Sequence, residues 1–233
     1  MSTKMTKLCF CIKITCSKAY TGYGGEQNAL YKRRLKMRKV VALRHTSVLP
    51  SGELAPDAEK FITAMVPVVV ALRCVFGVVL TSTSDRARQT AESLCENFGV
   101  ALPVTENAIL DPPPDEVKKG VPGVAKVVSG IKAYRTIHPE AGVATAILAT
   151  GGEAYMRQKA SAVFKLIGEN EGNLLIVAHE NGVTSFALEG LGRGYEVNVL
   201  GGDFRFVEGV CITFGDDGTV TDVQILRNPA FNS

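Results

Sequence analysis

Two of the chain's three histidines each close an apolar run. Arg44-His45 follows Val40-Val41-Ala42-Leu43, and His179 follows Leu174-Leu175-Ile176-Val177-Ala178. A third run, Val78-Val79-Leu80-Thr81-Ser82, leads into Asp85-Arg86-Ala87-Arg88-Gln89-Thr90-Ala91. Open α/β sheets bind ligands outside the carboxyl ends of their strands. If the three runs are neighbouring strands, two imidazoles and at least two guanidiniums meet at one pocket. That set suits a phosphoryl group. Arginine offers planar, permanently charged donors to phosphate oxygens, and a neutral imidazole can attack phosphorus.

The elements that must position these side chains are legible in outline. Val40–Leu43, Gly77–Ser82 and Leu174–Ala178 are short continuous apolar runs, the pattern of strands covered on both faces. Asp57–Arg73 has the spacing of a helix with Phe61, Ala64, Met65, Val68, Val69 and Leu72 on one side. Pro67 is expected to kink it or end its first half. A helix from about Asp85 to Phe98 is stopped by Gly99, and Ser82-x-x-Asp85 has the form of a capping box at its start. Asp111-Pro112-Pro113-Pro114 reads as a stiff loop, and Glu116–Tyr134 as helical in part. Glu153–Ile167 and Gly182–Leu191 read as helices, with Asn181 available to cap the second. Thr145–Ala149 fits either a strand end or a helix entry. Gly209–Phe214 and Thr219–Leu226 flank Asp216-Asp217-Gly218, a hairpin signal. The whole predicts a three-layer α/β/α sandwich on a mostly parallel sheet.

Each candidate makes a demand on its surroundings. A nucleophilic His45 needs one ring nitrogen held, typically by a backbone carbonyl, and the other free. Arg44 precedes it and alternates to the other side of the strand unless the backbone turns there. Arg86 in the first turn of a helix sits at the end of partial positive charge, which makes sense if an anion sits there too. Burying His179 without a partner costs about 1–3 kcal/mol.

The segments Leu43-Arg44-His45, Ser82-x-x-x-Arg86-Ala87-x-x-Thr90-Ala91 and Val177-Ala178-His179 resemble the histidine phosphatase superfamily, with its phosphoglycerate-mutase-like fold. The similarity spans about Val40 to Leu226, and the second segment is typical of the branch that includes broad-specificity phosphatases and cofactor-dependent mutases; the small phosphohistidine-phosphatase branch is also similar. The resemblance implies that His45 becomes phosphohistidine and that Arg44, Arg86 and His179 bind the phosphoryl oxygens. It implies a phosphomonoester hydrolase that needs no cofactor and no metal. Two departures stand out. Thr46 replaces the family's usual Gly after the first histidine, and its hydroxyl can add a phosphate contact. The proton donor of related enzymes maps to Asp111, although Pro112–Pro114 stands where a Gly- and Glu-rich sequence is usual. Glu180, directly after the second histidine, is the alternative acid, as in another branch.

Composition bounds the rest. Residues 1–39 hold ten Lys/Arg against Glu26 alone, whereas the remainder holds sixteen basic and twenty-two acidic residues. Residues 1–38 therefore read as a basic, disordered N-terminal extension, with organelle targeting as an alternative, and 39–233 as the histidine phosphatase domain. The basic cluster Lys32-Arg33-Arg34-Leu35-Lys36 lacks interleaved stacking aromatics, so no nucleic-acid partner is expected. Cys9, Cys11 and Cys16 match no standard zinc spacing; Cys74, Cys95 and Cys211 read as small core residues. Free thiols and the absence of a long apolar stretch point to a cytoplasmic protein without a membrane span. The expected partner is a phosphorylated small molecule or phosphoprotein. The readings set against hydrolysis are a non-catalytic phospho-ligand-binding or scaffold relative and a phosphoglycerate mutase. The oligomeric state is not encoded in any recognisable pattern.

Overall fold

The computed structural model describes residues 13–14, 38–49, 51, 53–99 and 101–231. Its sheet contains β1 (Lys13–Ile14), β2 (Arg38–Arg44), β3 (Phe76–Thr81), β4 (Val104–Glu106), β5 (Asn173–Ala178), β6 (Gly209–Phe214) and β7 (Val220–Leu226), in the order β1-β7-β6-β2-β5-β3-β4. The strands β2, β5, β3 and β4 run parallel; β6 pairs antiparallel with both β2 and β7, and β1 antiparallel with β7. The sheet is thus mixed: parallel where βαβ crossovers join the strands, antiparallel where the hairpin closes it. The basic extension expected over 1–38, with its three cysteines, lies outside the described residues except for Lys13, Ile14 and Arg38.

The sheet order meets the condition set by the sequence. β5 lies between β2 and β3, with Leu43 opposite Val177 and Thr81 opposite Val177 on the other side. The ends that carry Arg44-His45, Ser82 and Ala178-His179 are therefore adjacent. Gly209 permits the tight pairing of β6 on β2: a Cβ there would collide with the backbone carbonyl of Ala42.

Helices cover both faces. On one side lie α1 (Ala58–Val70) and α2 (Asp85–Phe98), packing Ile62, Met65, Ala87 and Leu94 against Val41, Leu43, Val79 and Leu175. On the other lie α5 (Val143–Ala149), α6 (Glu153–Gly168) and α7 (Glu180–Leu191), with Ile147, Met156, Val163 and Phe186 against Val40, Ala42 and Ile176. Each such apolar side chain contributes about 1.5–3 kcal/mol when fully buried. Between them run α3 (Pro113–Lys118) and α4 (Val124–Ile137). The three-layer α/β/α architecture is the one expected.

Three local readings needed correction, and the open one at Thr145–Ala149 is decided. The proline run does not exclude a helix: Pro113 and Pro114 open α3, where the first N–H groups have no intrahelical partner to lose. α1 continues through Pro67 to Val70 instead of ending there. Residues 143–149 are helical. α7 begins at Glu180, so its N-cap is His179 and not Asn181; the Asn181 side chain donates instead to the Tyr155 hydroxyl (3.3 Å).

Candidate active site

At the end of β2 the backbone of His45 donates to the Ala178 carbonyl (2.9 Å), and Arg44 donates to Glu208 O (2.8 Å). The strand then stops and the chain turns. The turn lets Nδ1 of His45 donate to the carbonyl of Thr46, its own neighbour, at 2.6 Å. The lone pair is thereby fixed on Nε2, and the ring is buried. Burial, assisted by the charges of Arg86 and Arg44, pushes the His45 imidazole down to about 3. A neutral ring with a free Nε2 is the form that can attack an electrophile.

His179, at the end of β5, meets His45 edge-on, with ring centroids 4.7 Å apart. Nη2 of Arg86 donates to Nδ1 of His179 across 3.4 Å. Because a guanidinium cannot accept, Nε2 carries the proton and faces the hydroxyls of Ser82 (3.0 Å) and Ser84 (3.2 Å). Burial, His45 and Arg86 hold this second imidazole well below its usual range. Ser82 thus serves the site and not the capping box read from its spacing. The N-cap of α2 is Ser84, with no side-chain cap bond. Ala87, Thr90, Ala91 and Leu94 are buried along α2, which fixes the direction of Arg86. Thr90 Oγ1 donates to Arg86 O (2.6 Å) and accepts from Thr46 N (3.2 Å), tying the turn after His45 to α2.

Arg44 turns back under the sheet end. Its Nη1 donates to Phe204 O (2.5 Å) and pairs with Glu180 Oε2 (2.8 Å), and the guanidinium lies over the Phe206 ring at 4.9 Å. Val207, next along, has φ 55°, a strained value for a β-branched residue, and its N–H is held by Arg44 O (3.0 Å). Thr46 is fully buried and its φ is not positive. Its Oγ1 and the Arg44 Nε are buried without hydrogen-bond partners.

The two candidate acids differ in their surroundings. Asp111 is fully buried. Its carboxylate accepts from Thr83 N (2.8 Å), from Thr83 Oγ1 (2.9 Å) and from the Lys119 ammonium. All these partners are donors, which is how an anchor is held. Glu180 is also buried, and burial raises its carboxyl against the opposing pull of Arg44 and Ala144 N–H; a hydrogen bond to Asp203 raises it further.

A buried polar network supports the floor. Lys159 donates to Asp111 O (2.6 Å) and pairs with Glu116 (2.5 Å), whose other oxygen accepts from Tyr155 OH (2.7 Å). Ser84, Thr83, Lys159 and Asp203 have no motif of their own in the sequence, and only the fold reveals them. Arg205 is engaged by Glu208 (3.2 Å) and stacks over Phe231 at 4.1 Å. His138 is exposed. Among the described residues, no three His, Cys, Asp or Glu side chains are gathered as metal ligands would be, and no helix is long and apolar enough to cross a membrane.

By sequence, neither a family model nor a curated protein matches the chain. Solved structures do match by shape. A phosphoserine phosphatase from Entamoeba histolytica in complex with 3-phosphoglyceric acid has a TM-score of 0.53 at 15% identity, over 83% of this chain and 98% of that one. A mycobacterial glucosyl-3-phosphoglycerate phosphatase in complex with VO3 has a TM-score of 0.51 at 15% identity, over 82% and 98%. A phosphoglycerate mutase from Bacillus anthracis has a TM-score of 0.50 at 16% identity, over 80% and 91%. The three-layer architecture expected from the sequence is the one observed, and the chain has the phosphoglycerate-mutase-like fold that these structures share.

Proposed function

We propose that the chain is a phosphomonoester hydrolase that works through a phosphohistidine on His45. The observation that carries this reading is the imidazole pair. His45, neutral and pinned through Nδ1, presents Nε2 at a ring distance of 4.7 Å from His179, between Arg44 and Arg86. In the first step Nε2 forms a bond to phosphorus and the ester oxygen leaves. In the second, water attacks phosphorus and the N–P bond breaks. Positioning and charge stabilisation dominate such transfers. Arg44 and Arg86 supply them, each charge-assisted hydrogen bond contributing about 1.5–3 kcal/mol, and His179 orients Arg86 through Nδ1. The orphan Thr46 Oγ1 is a further donor for a phosphoryl oxygen, one that glycine would not provide.

The proton for the leaving oxygen comes from Glu180. Its carboxyl is buried, raised, and paired with Arg44, the residue before the nucleophile. Asp111, the first expectation from the sequence, is the weaker candidate because Thr83 and Lys119 already hold it. The fold shared with phosphatases and with a mutase is compatible with hydrolysis or mutase transfer. Hydrolysis is favoured because Arg205 is engaged elsewhere and is not left to hold a second phosphate.

The test is hydrolysis of 4-nitrophenyl phosphate with and without a chelator, beside His45→Ala, with trapping of an acid-labile, alkali-stable phosphoenzyme. Turnover that resists the chelator and vanishes with His45 supports the reading. Equal turnover by the variant would overturn it and leave a phospho-ligand-binding role.

A further inference from the structure

We infer that Asp203 is a positioning residue for this reaction: it and Glu180 hold one proton between them, which equips the site for alkyl phosphate monoesters. The inference rests on the hydrolase reading with Glu180 as acid.

The geometry begins at the start of α5, where both carboxyl groups converge. Glu180 Oε1 accepts from Ala144 N (3.0 Å). Asp203 Oδ2 accepts from Gly142 N (3.1 Å) and Thr145 Oγ1 (2.8 Å), and Oδ1 from Thr145 N (3.4 Å). A Cβ at Gly142 would collide with both acids, so glycine is what lets the two side chains close over this turn. A Cβ there would meet Glu180 Oε1 and Asp203 Oδ2 at once, so the two carboxyls crowd one small space. Two ionised carboxylates in one such space repel each other, and a single proton between them removes the repulsion.

The neighbours decide which acid gives the proton up. Asp203 takes three donors from α5, while its backbone oxygen is held by Arg227 (3.1 Å). Glu180 is the more buried partner, and the groups facing it are Arg44 from β2, Asp203, and the amide of Ala144. The acceptor capacity of Asp203 is already taken by Gly142 and Thr145. Burial favours the protonated form of Glu180, beside Arg44 and next to the nucleophile. A stored proton matters most where the leaving group is a poor one. An alkoxide must be protonated as it departs, whereas a 4-nitrophenolate leaves unaided.

The experiment compares wild type, Asp203→Asn, Asp203→Glu and Glu180→Gln on 2-glycerol phosphate and 4-nitrophenyl phosphate across pH. In Asp203→Asn the kcat loss on the alkyl ester should exceed that on the aryl ester by about tenfold or more, with the alkaline limb of the alkyl profile moved to lower pH and KM little changed. Asp203→Glu should recover part of the loss. Equal losses on both esters, or an unmoved limb, would overturn the pair. If Glu180→Gln turns over the alkyl ester like wild type while His45→Ala is dead, Glu180 is not the acid, and the hydrolase reading survives without this inference. Should Asp203→Asn not fold, infrared spectroscopy of the wild type decides. The carbonyl band of a buried protonated carboxyl at neutral pH, removed by Glu180→Gln, supports the shared proton, and its absence overturns it.

Discussion

Arg86 donates to Nδ1 of His179 across 3.4 Å, and that contact dictates which nitrogen of the second imidazole carries the proton. An always-charged donor on one side of a ring forces the opposite side to be N–H. Ser82 and Ser84 receive it. Replacing Arg86 by Lys should lose this alignment together with the planar fork. We expect kcat/KM on 4-nitrophenyl phosphate to fall about 100-fold, the loss of one charge-assisted contact in the transition state. An Arg86→Lys enzyme within threefold of wild type would show that the ring is oriented by something else.

Both imidazoles make stability depend on pH in a defined direction. An unfolded histidine titrates near 6.5 and folded His45 near 3, so protons bind the unfolded chain first. The stability carried by His45 is complete above about pH 6.5 and is lost as pH falls toward 3, by up to about 1.4 kcal/mol per pH unit. His179 acts in the same sense. Urea unfolding at pH 7, 6 and 5 should show falling midpoints, with a shallower fall in His45→Asn. A variant with the wild-type slope would contradict this account.

Thr46 offers a test in which stability and binding move oppositely. Its buried hydroxyl has no partner, and such a group costs about 1–3 kcal/mol. Thr46→Val should raise the unfolding free energy by about 1 kcal/mol and weaken inhibition by inorganic phosphate by about fivefold, the worth of one hydrogen bond. Unchanged inhibition would take Thr46 off the phosphate-binding set.

Asp111→Asn separates an anchor from an acid. Loss of the charge-assisted bonds from Thr83 and Lys119 should destabilise the fold by about 1–3 kcal/mol, while both limbs of the pH–rate profile stay where they are. A displaced limb would return Asp111 to the mechanism and remove Glu180 from it.

Lys159→Met leaves the partly buried Glu116 without its cation. Breaking one side of such a pair costs about 3–5 kcal/mol. The same change frees the Asp111–Lys118 segment from the body, so proteolysis there should quicken first. Uniform loss of protection across the chain would show that the contact is not specific to that segment.

The sequence by itself determined the sheet core and the four residues on which the site is built. Apolar runs closing on Arg44-His45 and His179, and a helix entry carrying Arg86, are local patterns, and local patterns survive without knowledge of the fold. The prolines at 112–114 misled because proline's cost depends on whether a helix interior or a first turn receives it. Ser82 misled because a hydroxyl near a helix start suits a cap and a histidine equally well. Only the tertiary structure decided the tautomers of His45 and His179, the engagement of Asp111 by Thr83 and Lys119, and the meeting of Glu180 with Asp203 at Gly142. Most of these join segments far apart in the chain, and a hydrogen bond between such segments depends on where the sheet and helices bring the chain, not on the residues beside it in sequence.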